Sequence, residues 1–261
     1  MDDSRIEAYG QELYAALRSS EPVAPLTERE PDLTLADAYR ISRHMLSQRL
    51  AAGEKLIGKK IGVTSVAVQQ MLGVHQPDFG FLTDAMVYPD GGEVRLSGNS
   101  ILPRAEGEIA FVLKSDLYGP GITNADVLAA TDKVYPCFEI VDSRVRDWKI
   151  KIQDTVADNA SCHSLVLGSE GVSPHDVDLV TCGMVIEKNG QLLSTGAGAA
   201  ALGSPVNCVT WLANTLGSLG IPLEAGDIIL SGSLVPLESV KPGDSMSLRI
   251  GGIGSATLSF V

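Results

Sequence analysis

Three carboxylates in two strand-like runs are the side chains of this sequence best placed to do chemistry. Glu106 and Glu108 lie in Arg104-Ala-Glu-Gly-Glu-Ile-Ala-Phe-Val-Leu, and Glu139 lies in Val134-Tyr-Pro-Cys-Phe-Glu-Ile-Val-Asp. Side chains two apart on an extended segment share a face, so Glu106 and Glu108 stand side by side next to the apolar run Ile109 to Leu113. Neighbouring carboxylates do not both stay ionised cheaply: either one takes up a proton or a cation is held between them. Glu139 interrupts an otherwise apolar run, where an unpaired carboxylate is rarely buried. Three hard oxygen donors from two strands suit Mg²⁺ or Mn²⁺, with coordination positions left for water and substrate. The competing reading of the same pattern is a row of solvent-facing strand acids.

Two further groups could move protons. Lys59 and Lys60 follow each other in the strand-like Leu56 to Val63, so they face opposite sides and one of them points toward a core or a cleft. A cleft lysine neutralises an anionic substrate or assists proton transfer, whereas a snorkelling surface lysine does neither. Asp78, in His75-Gln-Pro-Asp-Phe-Gly, is expected on a loop, either as a general acid or base or as an Asx-turn residue. His75 in the same stretch is a weaker candidate, because a lone loop histidine is more often a surface hydrogen-bonding group.

Other polar motifs fit known chemistry less well. Thr195-Gly-Ala-Gly-Ala-Ala-Ala-Leu-Gly-Ser-Pro lacks the G-x-G-x-x-G spacing and the G-K-[ST] ending of nucleotide loops, but its backbone could approach a small carboxylate. Neither Ser161-Cys-His163 nor Ser231-Gly-Ser233 is a G-x-S-x-G elbow, so a serine or cysteine hydrolase is disfavoured.

The bulk composition narrows the partners. A net charge of −12 and a pI near 4.7 over 261 residues disfavour nucleic acid and anionic membranes and leave small-molecule chemistry. Cys137, Cys162, Cys182 and Cys208 form no C-x-x-C pair, so reduced thiols in a cytoplasmic protein are expected. The acidic N-terminus is wrong for a secretory signal, and no apolar run approaches the roughly 20 residues needed to span a bilayer.

The elements that must position these groups follow from periodicity. Ile6, Tyr9, Leu13 and Leu17 predict a helix over 4–18, and Thr34 caps a second one carrying Ile41 and Met45, with a proline-rich joint at 22–31 between them. Residues 1–54 therefore read as a helical N-terminal region packed on a β-rich main body, residues 55–261. In that body, strands are expected at 56–63, 85–88, 93–96, 106–114, 133–142, 163–167, 227–230, 245–250 and 254–260. Helices start at Ser65, Asn124 and Ser204-Pro205, and Asn189-Gly190 closes a hairpin. Without regular βαβ alternation, an α+β fold on a mixed or rolled β core is favoured over a doubly wound sheet.

Five segments in order carry a resemblance over nearly the whole chain. They are Gly58-Lys-Lys-Ile-Gly-Val-Thr-Ser, Leu72-Gly-Val-His-Gln-Pro-Asp-Phe-Gly, Pro103-Arg-Ala-Glu-Gly-Glu-Ile-Ala-Phe, Asp154-Thr-Val-Ala-Asp-Asn-Ala and the Thr195 to Pro205 stretch. Together they resemble the hydratase/decarboxylase family of the fumarylacetoacetate hydrolase superfamily, whose members act late in catechol meta-cleavage pathways. The resemblance implies a fumarylacetoacetate-hydrolase-like rolled β core and a homo-oligomer. It also implies a divalent metal on Glu106, Glu108 and Glu139, an active-site lysine at Lys60 and an acid/base aspartate at Asp78. Ser233 falls on a substrate-pocket serine, and Arg104 belongs to the matched acidic motif as a candidate substrate contact.

The activity implied is hydration of 2-hydroxypenta-2,4-dienoate to 4-hydroxy-2-oxopentanoate. Its alternatives are decarboxylation of 4-oxalocrotonate, and a non-catalytic partner subunit associated with such a decarboxylase. The Ser231-Gly-Ser-Leu-Val-Pro-Leu-Glu stretch looks more like the hydratase branch. The C–C hydrolases of the superfamily activate water with a histidine–acid pair, and no histidine lies between His75 and His163, which argues against diketone hydrolysis.

Overall fold

Capped helices open the chain and short, alternately buried strands complete it. The computed structural model describes residues 1–261, apart from the side chains of Ala67 and Met71. Helix α1 (Asp3–Ser19) begins where the Asp2 carboxylate accepts from the Arg5 N–H, α2 (Leu26–Arg29) is a single turn in the proline-rich joint, and Thr34 caps α3 (Leu35–Ala51). Four helices follow: α4 (Val66–Leu72), α5 (Asn124–Ala130), α6 (Ile152–Ala157) and α7 (Pro205–Ser218). Leu13, Leu26, Ile41 and Met45 share a buried cluster with Ile152 and Val156. The Asp154 carboxylate fastens this cluster, accepting from the Thr27 N–H at 3.0 Å and the Thr27 hydroxyl at 2.7 Å. No described helix is long and apolar enough to cross a membrane.

The strands are β1 (Leu56–Gly62), β2 (Asp78–Thr83), β3 (Val87–Tyr88), β4 (Glu93–Val94), β5 (Arg104–Leu113), β6 (Thr131–Val141) and β7 (Cys162–Leu167). After them come β8 (Gly183–Lys188), β9 (Gln191–Ala197), β10 (Ile228–Leu230), β11 (Glu238–Ser239), β12 (Ser245–Ile250) and β13 (Gly254–Phe260). One sheet has the order β2-β1-β10-β5-β6-β7-β3 with β11 beside β5, and a second has the order β4-β13-β12-β8-β9. Both are mixed: β1 with β10, β3 with β7 and β13 with β4 run parallel, the other pairs antiparallel. The fold is α+β on a curled mixed sheet, as the sequence pattern predicts.

Two local expectations need correction. Asp78 does not sit on a loop: it opens β2, antiparallel to β1 and opposite Gly62, because the buried Phe79, Phe81 and Leu82 carry the chain into the sheet. Of the strand expected at 85–88, Asp84–Met86 is a 3₁₀ turn and only Val87–Tyr88 is extended, since Met86 is drawn into the core.

Strand alternation divides β5 between two environments. Gly107, Ile109 and Phe111 face the second sheet, while Glu106, Glu108 and Ala110 face the opposite way. A Cβ at Gly107 would stand 2.5 Å from Met184 Sδ and 2.8 Å from Ile186 Cδ1, so the ends of those two side chains must shift to admit one. Overpacking of this kind costs about 1–3 kcal/mol, and Gly107→Ala is expected to lower the thermal unfolding midpoint by roughly 2–12 °C. An unchanged midpoint in a calorimetric scan would show that the Met184 and Ile186 side chains move aside without cost.

Candidate active site

Antiparallel pairing of β5 with β6 puts Glu106 directly across from Glu139, with Glu108 two residues along on the same face. Carboxylate oxygens of the three lie within 4.8 Å of one another. Glu108 and Glu139 are completely buried and Glu106 is partly so. Glu108 Oε2 accepts from the Gly232 N–H at 2.8 Å, but Glu108 Oε1 and both Glu139 oxygens have no hydrogen-bond partner. Gly232 can make this contact because its φ is +97°, and a Cβ there would strike Thr64 at 2.4 Å.

Lys60 reaches this group from across the sheet. Its backbone lies three strands from Glu139, on β1 with β10 and β5 between, which in a flat sheet would be roughly 14 Å. The curl of the sheet and the lengths of the two side chains close that gap, and Lys60 Nζ stands 3.2 Å from Glu139 Oε1. The ammonium also donates to the Ala160 carbonyl at 3.1 Å. Lys59, on the opposite face, is equally buried and pairs with Asp227, so neither lysine snorkels.

Asp78 lies on the far side of Lys60. A methyl at Gly62 would come within 2.3 Å of Asp78 Oδ1 and 3.2 Å of Lys60 Nζ, so both groups crowd the same point of β1. Asp78 is buried and its Oδ1 has no hydrogen-bond partner.

The electrostatics follow from four carboxylates around a single ammonium. Burial and then the neighbouring Glu139 push Glu106 up to about 7. Burial, Glu139 and Glu106 hold Glu108 well above the usual carboxylate range. Burial also raises Asp78, against the pull of Lys60. For Lys60, burial works downward, but Glu139, Asp78 and Glu106 outweigh it, so the side chain stays an ammonium. Buried hard oxygens in electrostatic excess, several without a hydrogen-bond partner, are a donor set that fits a divalent cation.

The remaining residues singled out in the sequence divide. Ser233 follows Gly232 in the loop after β10; its hydroxyl donates to the Val235 carbonyl at 2.5 Å and lies 3.5 Å from the carbonyl of Gly107, the residue after Glu106. Arg104 shares the strand face of Glu106, but its guanidinium lies over the Trp148 ring, 4.8 Å from the centroid. His75 is exposed at the surface. Ser161 pairs with Thr155 at 3.3 Å and His163 with the Asn99 carbonyl and Ser164, so the two do not meet as nucleophile and base. The glycines of the Thr195 stretch serve packing: a Cβ at Gly196 would stand 2.0 Å from the Leu234 carbonyl oxygen and one at Gly198 1.8 Å from that of Leu179.

Sequence reasoning missed the support beneath Lys60. Asn159, Ala160 and Ser161 have successive φ values of 54°, 50° and 55°, a left-handed run that non-glycine residues rarely adopt. Asn159 holds that run in place. Its amide oxygen accepts from the Phe81 N–H at 2.8 Å and its amide nitrogen donates to the Phe81 carbonyl at 2.9 Å, which turns the Ala160 carbonyl toward Lys60. The buried Arg144–Asp158 pair closes the same segment. The only available signal was the Asp154 to Ala160 motif, whose residues carry no charge pattern that points to a lysine a hundred positions away.

The family model for the C-terminal part of fumarylacetoacetate hydrolase matches residues 58–261, a span that contains every residue of the cluster described above. The chain belongs to the fumarylacetoacetate hydrolase family. Among its relatives in this family, a 2-hydroxypent-2,4-dienoate hydratase from Pseudomonas putida is 71% identical over 221 residues, covering 85% of this chain and 100% of that one. A 2-hydroxyhexa-2,4-dienoate hydratase from Comamonas testosteroni is 58% identical, covering 99% of this chain and 98% of its own. The solved structure of 4-oxalocrotonate decarboxylase from Pseudomonas putida G7, complexed with magnesium and adipate, superposes with a TM-score of 0.97 at 38% identity, covering 100% of this chain and 99% of that one.

Proposed function

We propose that this fumarylacetoacetate hydrolase family member is a metal-dependent hydratase that adds water to 2-hydroxypenta-2,4-dienoate to give 4-hydroxy-2-oxopentanoate. The observation that carries the reading is the convergence of three carboxylates with Lys60 and Asp78, in a chain 71% identical to a 2-hydroxypent-2,4-dienoate hydratase. Glu106, Glu108 and Glu139 would hold Mg²⁺ or Mn²⁺. When bound, that ion supplies Lewis acidity to the carboxylate and 2-oxygen of the substrate.

The chain's own residues handle protons and water. Hydration requires the 2-hydroxyl to lose its proton and C5 to gain one, which leaves a C3–C4 double bond conjugated to the new ketone. Water then adds its oxygen at C4 and a proton is delivered to C3, so the overall change is the addition of one water. Lys60 and Asp78 exchange these protons. Lys60, 3.2 Å from Glu139, supplies an N–H donor, and burial of Asp78 lets it hold and release a proton nearer neutrality than an ordinary aspartate. Ser233, beside Glu106, contacts the acid end of the substrate, and Arg104 adds positive charge two residues from Glu106. Four buried free cysteines support a reducing, cytoplasmic setting.

Decarboxylation of 4-oxalocrotonate is the second reading, favoured by the TM-score of 0.97 to that decarboxylase. Incubating the purified protein with each substrate and Mg²⁺ separates the two. Loss of dienoate absorbance with formation of the hydroxy-oxo acid is expected; CO₂ release from 4-oxalocrotonate without dienoate turnover would reverse the assignment.

The acid cluster also predicts a pH-dependent response to metal. A Glu106 carboxyl raised from 4.5 to about 7 on folding stabilises the metal-free protein fully below about 4.5, and that contribution is lost as pH rises through 7. Protons compete with the cation for the same oxygens. In thermal unfolding, Mg²⁺ is therefore expected to raise the midpoint strongly at pH 8 and little at pH 5. A shift of equal size at both values would mean the ion binds elsewhere.

A further inference from the structure

A cavity of about 340 Å³ opens on the side of Asp78 away from the carboxylate cluster. Its walls are Leu35 and Tyr39 of α3, Ile152 and Val156 of α6, and the Val74 to Pro77 connection, with Asp78 at its edge. Tyr39 is held by stacking on Phe79, the residue after Asp78, with ring centroids 4.2 Å apart. The mouth lies at His75 and Gln76, which are exposed. Among the described residues no lysine or arginine lines it, and its one acid is Asp78. Nothing in the proton chemistry uses this space, yet its size is that of a small-ligand pocket.

We propose that this cavity receives the far end of the substrate's carbon chain, with Leu35, Tyr39 and Val156 setting a preference for 2-hydroxydienoates that end in an uncharged alkyl group. The proposal rests on the function above for where the acid end of the substrate sits. With that end at the carboxylate cluster and Asp78 beside the carbons that change hybridisation, every further carbon passes Asp78 into the cavity. Apolar walls reward hydrocarbon there. A terminal carboxylate would lose its water against leucine and valine with no cation to meet it and Asp78 close by. The cavity therefore selects between the two substrate classes that the metal-binding acids cannot tell apart.

Titration calorimetry of the Mg²⁺-loaded protein with saturated 2-oxo acids tests this without turnover. From 2-oxopentanoate to 2-oxooctanoate, the dissociation constant is expected to fall about fourfold per added CH₂. 2-Oxoadipate, of the same carbon count as 2-oxohexanoate but with a second carboxylate, is expected to bind on the order of tenfold more weakly than it. Val156→Phe should flatten the chain-length series by filling the cavity. Leu35→Arg, at a partly exposed position that tolerates change better, should narrow or reverse the deficit of 2-oxoadipate and decides the matter if the first variant does not fold.

A flat series in the wild-type protein overturns the proposal, as does a steep series that neither folded variant alters. The outcomes also separate this inference from the function. A steep series in a protein that hydrates no dienoate removes the hydratase reading and leaves the pocket standing. Hydration with a flat series does the reverse, and failure of every 2-oxo acid to bind removes both.

Discussion

Glu108→Gln is expected to bind Mg²⁺ at least about a hundredfold more weakly and to turn over no dienoate above background, while its fold survives. Glutamine keeps the length of the side chain and a carbonyl oxygen able to accept from the Gly232 N–H that Glu108 Oε2 now takes at 2.8 Å. What it removes is one negative charge and a hard donor oxygen, Glu108 Oε1, that no hydrogen bond satisfies. Because the metal-free site holds more carboxylates than its single ammonium can balance, the metal-free variant is expected to unfold at a midpoint no lower than the wild-type's at pH 8. Calorimetric titration with Mg²⁺, dienoate absorbance and thermal unfolding together check the prediction. Undiminished turnover would place the ion away from Glu108, and a collapsed midpoint would show that the carboxylate is needed for the fold.

Lys60→Met is expected to separate what Glu108→Gln abolishes together. Turnover should fall by about 10²–10⁴, the range for losing a positioned acid or base. Mg²⁺ affinity should be kept or tightened, because the ammonium 3.2 Å from Glu139 Oε1 competes with a cation for that oxygen. Asp78 loses the cation that does most to hold its pKa down, so any acidic limb of the pH–rate profile assigned to it should move upward. If affinity and turnover fall in parallel, Lys60 builds the cluster and does not act on the substrate.

The two expected results depend on features of different legibility. The i, i+2 spacing of Glu106 and Glu108 states their common face outright, since strand alternation is local. Glu139 is legible as an anomaly, a charge in an apolar run, but its position across from Glu106 depends on the β5–β6 register. Asp78 reads as a loop residue for a local reason. His75, Pro77 and the glycines around it read as a loop, and only pairing with β1 makes Asp78 a strand residue. The competition between Lys59 and Lys60 for an interior place had no single winner: Asp227 and Glu139 wait on opposite faces of the same strand.

From the sequence alone one could determine the helical start, the mixed strand-rich body, the paired acids and the family motifs, all of which are written in spacings of a few residues. Tertiary structure alone decided that Lys60 reaches Glu139 across three strand widths, that Asn159 turns the Ala160 carbonyl under it, and that an apolar cavity lies beyond Asp78. The physical reason is range. Periodicity and capping act over one or two turns of chain, whereas the curl of a sheet and the docking of α3 and α6 over its edge are sums over many contacts between distant segments.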